Sequence, residues 1–480
     1  MVAVDPKRQE AFADLSGDHN PLHMDPVEAR RSQFGGPVVH GIHVVLLALQ
    51  ALDESGPWRL VKLDAQFRSA VLLGQTMTLE ASRPTGDRRE ITARAGGQIR
   101  AVITCELSRS DPTDGPVVDG SGSRPPGGHA GRQPAALTLH GLRSASGREP
   151  VWLDAAAFTA LFPSLAAVAS VRDMAVLLAT TRTIGMRAPG RWALFRRLTW
   201  VRDLASAPTD TSEAEALVWS TASVDSRLSL AWLDLRDSVR HIRSEVIVRQ
   251  PPPAQPSLEA LAASVSRAEF GGMRALIVGG SRGLGELSSK ILVAGGGRVL
   301  LTYRTGSADA ASVVEQLGET GKAVELDVVR PSGEAMAVIS AYQPTHLLYF
   351  ATPPITRRAP ETWDPETFAR FLDVYVNGLS SLLKLVDQLG SLAGLLYPSS
   401  IYVEEHPDGF AEYAAAKAAG EALCATWQHL RPRQRVVVPR FCPLVTDQTA
   451  ARLTADTSGN IGPLLAAIRK LTFDPDTAHS

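Results

Sequence analysis

From Arg274 onward the chain alternates short apolar runs with helical patterns: RALIVGG, RVLLTYR, AVELDV, HLLYFA, GLLYPSS and RVVVPRF are each separated from the next by an amphipathic stretch. Near-continuous apolar strands of this kind suit a parallel sheet covered on both faces, and right-handed crossovers make that a doubly wound α/β arrangement. The first strand-to-helix connection reads Gly279-Gly280-Ser281-Arg282-Gly283-Leu284-Gly285. Glycines at such a turn let the backbone pass close to a pyrophosphate, and the helix that follows presents unpaired N–H groups to it. A tight turn alone would explain the same glycines, so their position after a strand matters more than their number.

The preceding half is organised differently. Two stretches interrupt it, DPTDGPVVDGSGSRPPGGHAGRQP at 111–134 and QPPPAQP at 250–256. The first cannot bury enough apolar surface to order itself and the second favours extended backbone, so both read as linkers. The implied domains are 1–112, 135–250 and 272–480, joined by linkers at 113–134 and 251–271. Segment 1–112 opens with a short helical run and the loop SGDHNPLH, followed by an apolar helix near His40 to Leu52 and four strand-like runs. Segment 135–250 repeats that order weakly, with one long helix expected near Asp154 to Thr181 before its strands. Helix followed by antiparallel sheet is an α+β architecture, and two such units in tandem suggest a pseudo-dimeric pair.

Charge narrows the partners. Forty-nine basic residues nearly cancel 50 acidic ones, which gives no electrostatic footprint for nucleic acid. Cys105, Cys424 and Cys442 are too few for a disulfide framework and form no C-x-x-C pair. The first residues lack a signal-type apolar core and no stretch is long enough to span a bilayer, so a cytoplasmic protein without a membrane span is expected.

Downstream of the glycine turn lies Tyr413-Ala414-Ala415-Ala416-Lys417. On a helix this spacing puts phenol and ammonium on one face, where the cation is expected to lower the phenol pKa and fit it as a general acid toward a carbonyl oxygen. Ser400 ends an expected strand upstream, where its hydroxyl can reach the same oxygen. With these residues in order, segment 272–480 resembles the short-chain dehydrogenase/reductase family, whose pattern is T-G-x-x-x-G-x-G, then Asn, Ser and Tyr-x-x-x-Lys.

The resemblance implies a Rossmann-type fold, a cofactor turn formed by Gly279, Ser281, Arg282, Gly283, Leu284 and Gly285, an adenine-contacting Asp327, and a catalytic set of Asn377, Ser400, Tyr413 and Lys417. Each of the four alone has a plain structural role available; their joint order is what makes coincidence improbable. Arg282 and Arg304 are cationic where an acidic residue would bind a free ribose 2′-hydroxyl, which favours NADPH over NADH. Three departures stand out: Val278 in place of threonine, Phe350-Ala351-Thr352 in place of Asn-Ala-Gly, and Leu444 after Pro443 in place of glycine.

At the other end, Ser16-Gly17-Asp18-His19-Asn20-Pro21-Leu22-His23 and Phe34-Gly35-Gly36-Pro37-Val38-Val39-His40-Gly41 resemble the MaoC-like (R)-specific enoyl-CoA hydratase family over nearly all of the first segment. The resemblance implies a hotdog fold, with Asp18 and His23 as a catalytic pair and Gly41 offering an N–H to a thioester oxygen. Loss of water from a 3-hydroxyacyl thioester needs a base, an acid and a donor to the developing enolate, and a helix N-terminus suits the last. A metal pair at His19 and His23 is disfavoured because Asn20-Pro21 breaks the helix that would align them, so no metal is expected. The second segment lacks D-x-x-x-x-H and looks like a silent hotdog half whose helix either roofs an acyl tunnel or only scaffolds.

The fold class expected is therefore an α+β double hotdog followed by an α/β doubly wound reductase. Reduction of a 3-ketoacyl thioester and dehydration of its product are consecutive steps, which points to acyl carrier protein or coenzyme A thioesters in fatty-acid-like or polyketide-like assembly. The reverse direction, of β-oxidation type, is the alternative, as is a working reductase that carries a non-catalytic acyl-binding scaffold. Homo-oligomerisation through either part stays open.

Overall fold

The computed structural model describes residues 1–52, 54, 56–109, 133–203, 216–355, 363–449 and 456–472. The linker expected at 113–134 lies, but for its last two residues, outside them. The chain forms two compact units, Met1–Pro251 and Pro252–Ser480.

The first unit is built on one ten-stranded antiparallel sheet, in order β1-β3-β4-β5-β2-β7-β10-β9-β8-β6. Its strands are β1 (Val2–Ala3), β2 (Trp58–Phe67), β3 (Thr76–Ala81), β4 (Arg88–Ala95), β5 (Gln98–Arg109), β6 (Ser146–Pro150), β7 (Ala193–Arg202), β8 (Ala216–Asp225), β9 (Leu230–Arg236) and β10 (Arg240–Val248). The order β3-β4-β5-β2 is repeated in reverse as β7-β10-β9-β8, and β2 pairs with β7 in the middle, Leu63 opposite Trp200. Each half also carries a buried helix ahead of its strands: α1 (Gly41–Gln50) in the first, α2 (Val171–Arg182) in the second. Both bury most of their length, α1 because its sequence is apolar nearly all round, and α2 because its buried polar residues Asp173, Thr180, Thr181 and Arg182 find hydrogen-bond partners.

The single long helix expected between Asp154 and Thr181 is instead three helices, Ala155–Leu161, Pro163–Val168 and α2. Pro163 occupies the first position of the middle one, where its missing N–H costs nothing, and Ser170 caps α2 by accepting from Asp173 N–H. At its far end α2 runs into a π-turn over Thr183–Arg187.

The second unit is built on a six-stranded parallel sheet, β11 (Arg274–Val278), β12 (Arg298–Tyr303), β13 (Gly321–Glu325), β14 (His346–Tyr349), β15 (Gly394–Leu396) and β16 (Arg435–Val437), in order β13-β12-β11-β14-β15-β16, beside a short parallel pair of Ser399–Ser400 with Arg440–Phe441. That is the doubly wound order, with the chain reversing direction between β11 and β14, where such sheets bind ligands. The linker expected at 251–271 is a correction: Leu261, Val265 and Phe270 are buried in this unit's core, and Gln255 Oε1 accepts from Asn460 Nδ2 at 3.4 Å. Only the proline composition pointed to a linker; the apolar residues beyond it needed a core to join.

Candidate functional site

The first unit encloses a cavity of about 200 Å³ lined by Asp18, His23 and Gly41 together with Val38, Val44, Phe67, Ile184 and Phe195. Asp18 follows Gly17, which caps the helix Pro6–Ser16 with φ 73°, a conformation glycine adopts without strain. Its carboxylate is fully buried. Asn20 N–H donates to Oδ1 at 3.2 Å and the Thr181 hydroxyl to Oδ2 at 2.7 Å. Burial pushes the Asp18 carboxyl above its ordinary range, opposed first by nearby His23 and then by those two hydrogen bonds.

His23 Nδ1 lies 2.8 Å from Val38 O. A carbonyl only accepts, so the proton sits on Nδ1 and the Nε2 lone pair is left free. Burial holds this ring down to about 3, helped by His40, so the imidazole is neutral at physiological pH. His40 stacks on it, ring centroids 3.9 Å apart, and donates from Nε2 to Asp18 O at 2.9 Å. Asp18, His23 and His40 bring ligand-type atoms within 4.8 Å of one another. The two imidazoles are stacked at 27°, however, so their in-plane lone pairs run alongside each other instead of converging on one ion.

Gly41 is the first residue of α1, and the side chain of His40 before it takes no hydrogen bond from the first N–H groups of the helix. A Cβ at Gly41 would stand 3.2 Å from the Phe67 ring, so glycine keeps the backbone N–H close to the cavity.

Sequence reasoning missed what the second half supplies. Besides Thr181, Gly185 in the π-turn lies so close to Asp18 that a Cβ there would fall 2.1 Å from Oδ1. Asn20 Nδ2 donates to Gly185 O and Gly190 O, both at 2.9 Å, tying the motif loop to that turn. Arg182, fully buried, joins Glu149 Oε1 at 2.5 Å and Ser16 O at 2.7 Å. The half read as silent thus forms one wall of the site; its only signal in the sequence was the run GMRAPG at 185–190.

In the second unit the glycine turn has the shape a dinucleotide needs. Gly279 and Gly283 have φ of 80° and 60°, and a Cβ on Gly285 would meet Gly279 O at 2.2 Å. A twelve-residue helix, α3 (Gly283–Ala294), opens at the turn with its first N–H groups unpaired by position. Ser281 is buried and Leu284 half-buried beside them. Arg282 forms an ion pair with Asp447, Arg304 is exposed, and Asp327 Oδ1 accepts from Val329 N–H at 2.9 Å.

Ser400 and Tyr413 meet, and Lys417 follows one turn later on the helix of Tyr413; Asn377 stands apart. A helix, α4 (Pro365–Leu372), passes into a π-turn over Asp373–Gly378, and this turn sends Asn377 to the surface, where Nδ2 donates to Asp373 Oδ1 at 3.0 Å. Tyr375 faces inward in its place, fully buried, its hydroxyl 2.5 Å from Thr352 Oγ1. Ser400 hydrogen-bonds the Tyr413 phenol.

The expected lowering of that phenol by Lys417 is also corrected. Burial pushes Tyr413 up to about 12, and Lys417 instead donates from Nζ to Pro398 O at 2.7 Å and lies over the rings of Tyr375 and Tyr397. Burial brings Lys417 down to about 7.

Two family models match the chain: MaoC like domain over residues 1–99 and short chain dehydrogenase over 273–458. The chain joins a MaoC-like hydratase domain to a short-chain dehydrogenase domain. The first is similar to the peroxisomal hydratase-dehydrogenase-epimerase of Saccharomyces cerevisiae, 38% identical over 16% of this chain and 8% of that protein. It is also similar to the (R)-specific enoyl-CoA hydratase of Aeromonas caviae, 35% identical over 17% of this chain and 54% of that protein. The chain therefore spans less than two thirds of either relative. A solved short chain dehydrogenase from Escherichia coli complexed with NADPH aligns at 20% identity over 44% of this chain and 95% of that one, with a TM-score of 0.38. No described helix is long and apolar enough to cross a membrane.

Proposed function

We propose that the MaoC-like half interconverts 3-hydroxyacyl and 2-enoyl thioesters and the dehydrogenase half reduces 3-ketoacyl thioesters with NADPH, giving two consecutive steps on one acyl chain. The observation that carries the first activity is the meeting of Asp18, a free His23 Nε2 and the N-terminus of α1 in one apolar cavity. In the dehydration direction, His23 Nε2 takes the proton next to the carbonyl and the developing enolate oxygen accepts from Gly41 N–H. Asp18, whose carboxyl burial keeps protonated to higher pH, hands its proton to the departing hydroxyl. Hydration is the same route reversed. We read the paired helix-and-sheet halves as a double hotdog whose second half is a wall of the site.

In the reductase half Ser400 and Tyr413 face the reacting carbonyl, with Tyr413 giving the proton. The glycine turn and the start of α3 would hold the pyrophosphate, with Arg282 and Arg304 the candidates for the 2′-phosphate. The bound dinucleotide would supply a hydride. Acyl carrier protein is the carrier we favour for a fused, stepwise modifying enzyme. The likeness to hydratase-dehydrogenase proteins supports a second reading, coenzyme A thioesters processed in the oxidative direction.

The experiment is to offer the purified chain a racemic 3-hydroxyacyl thioester without NADPH, on each carrier, and to follow loss of water by mass. Consumption of the (R) isomer alone, lost in Asp18→Asn and His23→Ala with ketoreduction intact, supports the proposal. If neither dehydration nor hydration occurs on either carrier, this half is an acyl-binding scaffold. Tyr413→Phe should lower ketoreduction by on the order of a hundredfold.

A further inference from the structure

Sequence spacing assigns an inward role to Asn377, but the buried residue of that turn is a different one. Within the π-turn at Asp373–Gly378, Asn377 is exposed and Tyr375, two places earlier and therefore on nearly the opposite face, is buried. That residue, Tyr375, touches three groups of the reductase site at once. Its ring lies 4.0 Å beneath Lys417 Nζ, meets the Tyr413 ring edge-on at 6.0 Å, and its hydroxyl is fixed by Thr352 at 2.5 Å. Thr352 is itself one of the residues at which the chain departs from the reductase pattern, so two departures meet as one hydrogen-bonded pair.

Lys417 needs such a partner. It is buried, and among the described residues its ammonium makes one hydrogen bond, to Pro398 O. The carboxylate one turn along its helix, Glu421, is taken by Ser399 Oγ at 2.5 Å and Arg440 at 2.6 Å. The other titratable neighbours are Cys424 and the phenols of Tyr397 and Tyr413, uncharged at neutral pH. Glu421 favours the charged form from a distance, and what lies directly against the ammonium in place of the lost water is the negative faces of two aromatic rings, Tyr375 at 4.0 Å and Tyr397 at 4.7 Å.

We infer that Tyr375 is the positioning residue of the reductase site, holding Lys417 charged and in place through the face of its ring while Thr352 fixes the ring by its hydroxyl. This rests on the reductase reading only for its effect on turnover; the effect on Lys417 itself does not depend on which substrate is reduced.

The test compares Tyr375→Phe, which keeps the ring, with Tyr375→Leu, which removes it. The pH dependence of Lys417 acetylation by acetic anhydride, read on its peptide by mass spectrometry, reports its proton affinity. NADPH-dependent reduction of a 3-ketoacyl thioester reports turnover. In Tyr375→Leu the labelling midpoint should fall by about one pH unit and kcat by about tenfold, with KM for the thioester within about threefold. Tyr375→Phe keeps the ring face but loses the tether to Thr352, so the labelling midpoint should stay near the wild-type value while kcat falls by up to about threefold, less than in Tyr375→Leu. An unchanged midpoint in Tyr375→Leu overturns the inference, whatever happens to activity. If the wild-type chain reduces no ketoacyl thioester but the midpoint follows the ring, the inference stands and the substrate reading fails.

Discussion

Thr181 sits in the half of the first unit that the sequence marks as silent, yet its hydroxyl donates to Asp18 Oδ2 at 2.7 Å inside a fully buried site. Thr181→Val keeps the shape and removes the donor. A hydrogen bond to a charged group is worth about 1.5–3 kcal/mol and one pKa unit is about 1.4 kcal/mol, so losing it should raise the Asp18 pKa by roughly one to two units. Under the proposed mechanism, Asp18 must be a carboxylate in the hydration direction to accept the proton of water. The acid-side limb of the pH–rate profile for 2-enoyl thioester hydration should therefore move up by that amount, while the plateau rate above it falls less than tenfold. The assay follows disappearance of the enoyl-thioester ultraviolet absorbance from pH 4 to 9, with Thr181→Ser as the control that restores the hydroxyl. A limb that stays where it is in Thr181→Val would refute both the hydrogen bond as a determinant of Asp18 and the claim that the second half shares in the site.

Further outcomes follow from the same geometry. The folded protein holds the Asp18 proton more tightly than the unfolded chain, so this group's favourable contribution is lost as pH rises through its folded pKa. Asp18→Asn should accordingly raise Tm at pH 7 by a few degrees while abolishing dehydration, and a lower Tm by calorimetry would count against it. His23 and His40 are both pushed down to about 3 by burial and His43 well below its ordinary value. Between about pH 6.5 and 3 the unfolded chain binds protons that the fold refuses, so stability falls with falling pH through that window. Denaturant unfolding from pH 7 to 4 should show this loss, reduced in His43→Phe, whose ring can keep the stack on Phe12 at 4.3 Å; equal slopes in the two proteins would contradict it. Asp447 competes for the Arg282 guanidinium, a partly exposed pair. Asp447→Asn should lower KM for NADPH about two- to fivefold with little change for NADH, and a rise would reverse the assignment of Arg282.

The doubly wound half was legible in the sequence because its signals are local. Apolar runs, the Gly279–Gly285 turn and the Tyr413–Lys417 spacing each follow from a few consecutive residues, and the strand order obeys general handedness rules. The Asp18–His23 loop was equally readable, since a cap, a proline and a helix start are encoded within a short run. What the sequence could not determine depends on register and on distant contacts. Asn377 was assigned by spacing, but a π-turn changes which side chain faces inward, and no local pattern distinguishes Tyr375 from an ordinary core residue. The fall in the Tyr413 pKa expected from Lys417 required knowing where the ammonium points, and burial overrode the neighbour. The role of Thr181 and Gly185 arose only when β2 paired with β7 and brought α2 against a loop some 160 residues away. Sequence determines which elements form; the burial and pairing of those elements in three dimensions decide which polar groups lose water together, and that sets the chemistry.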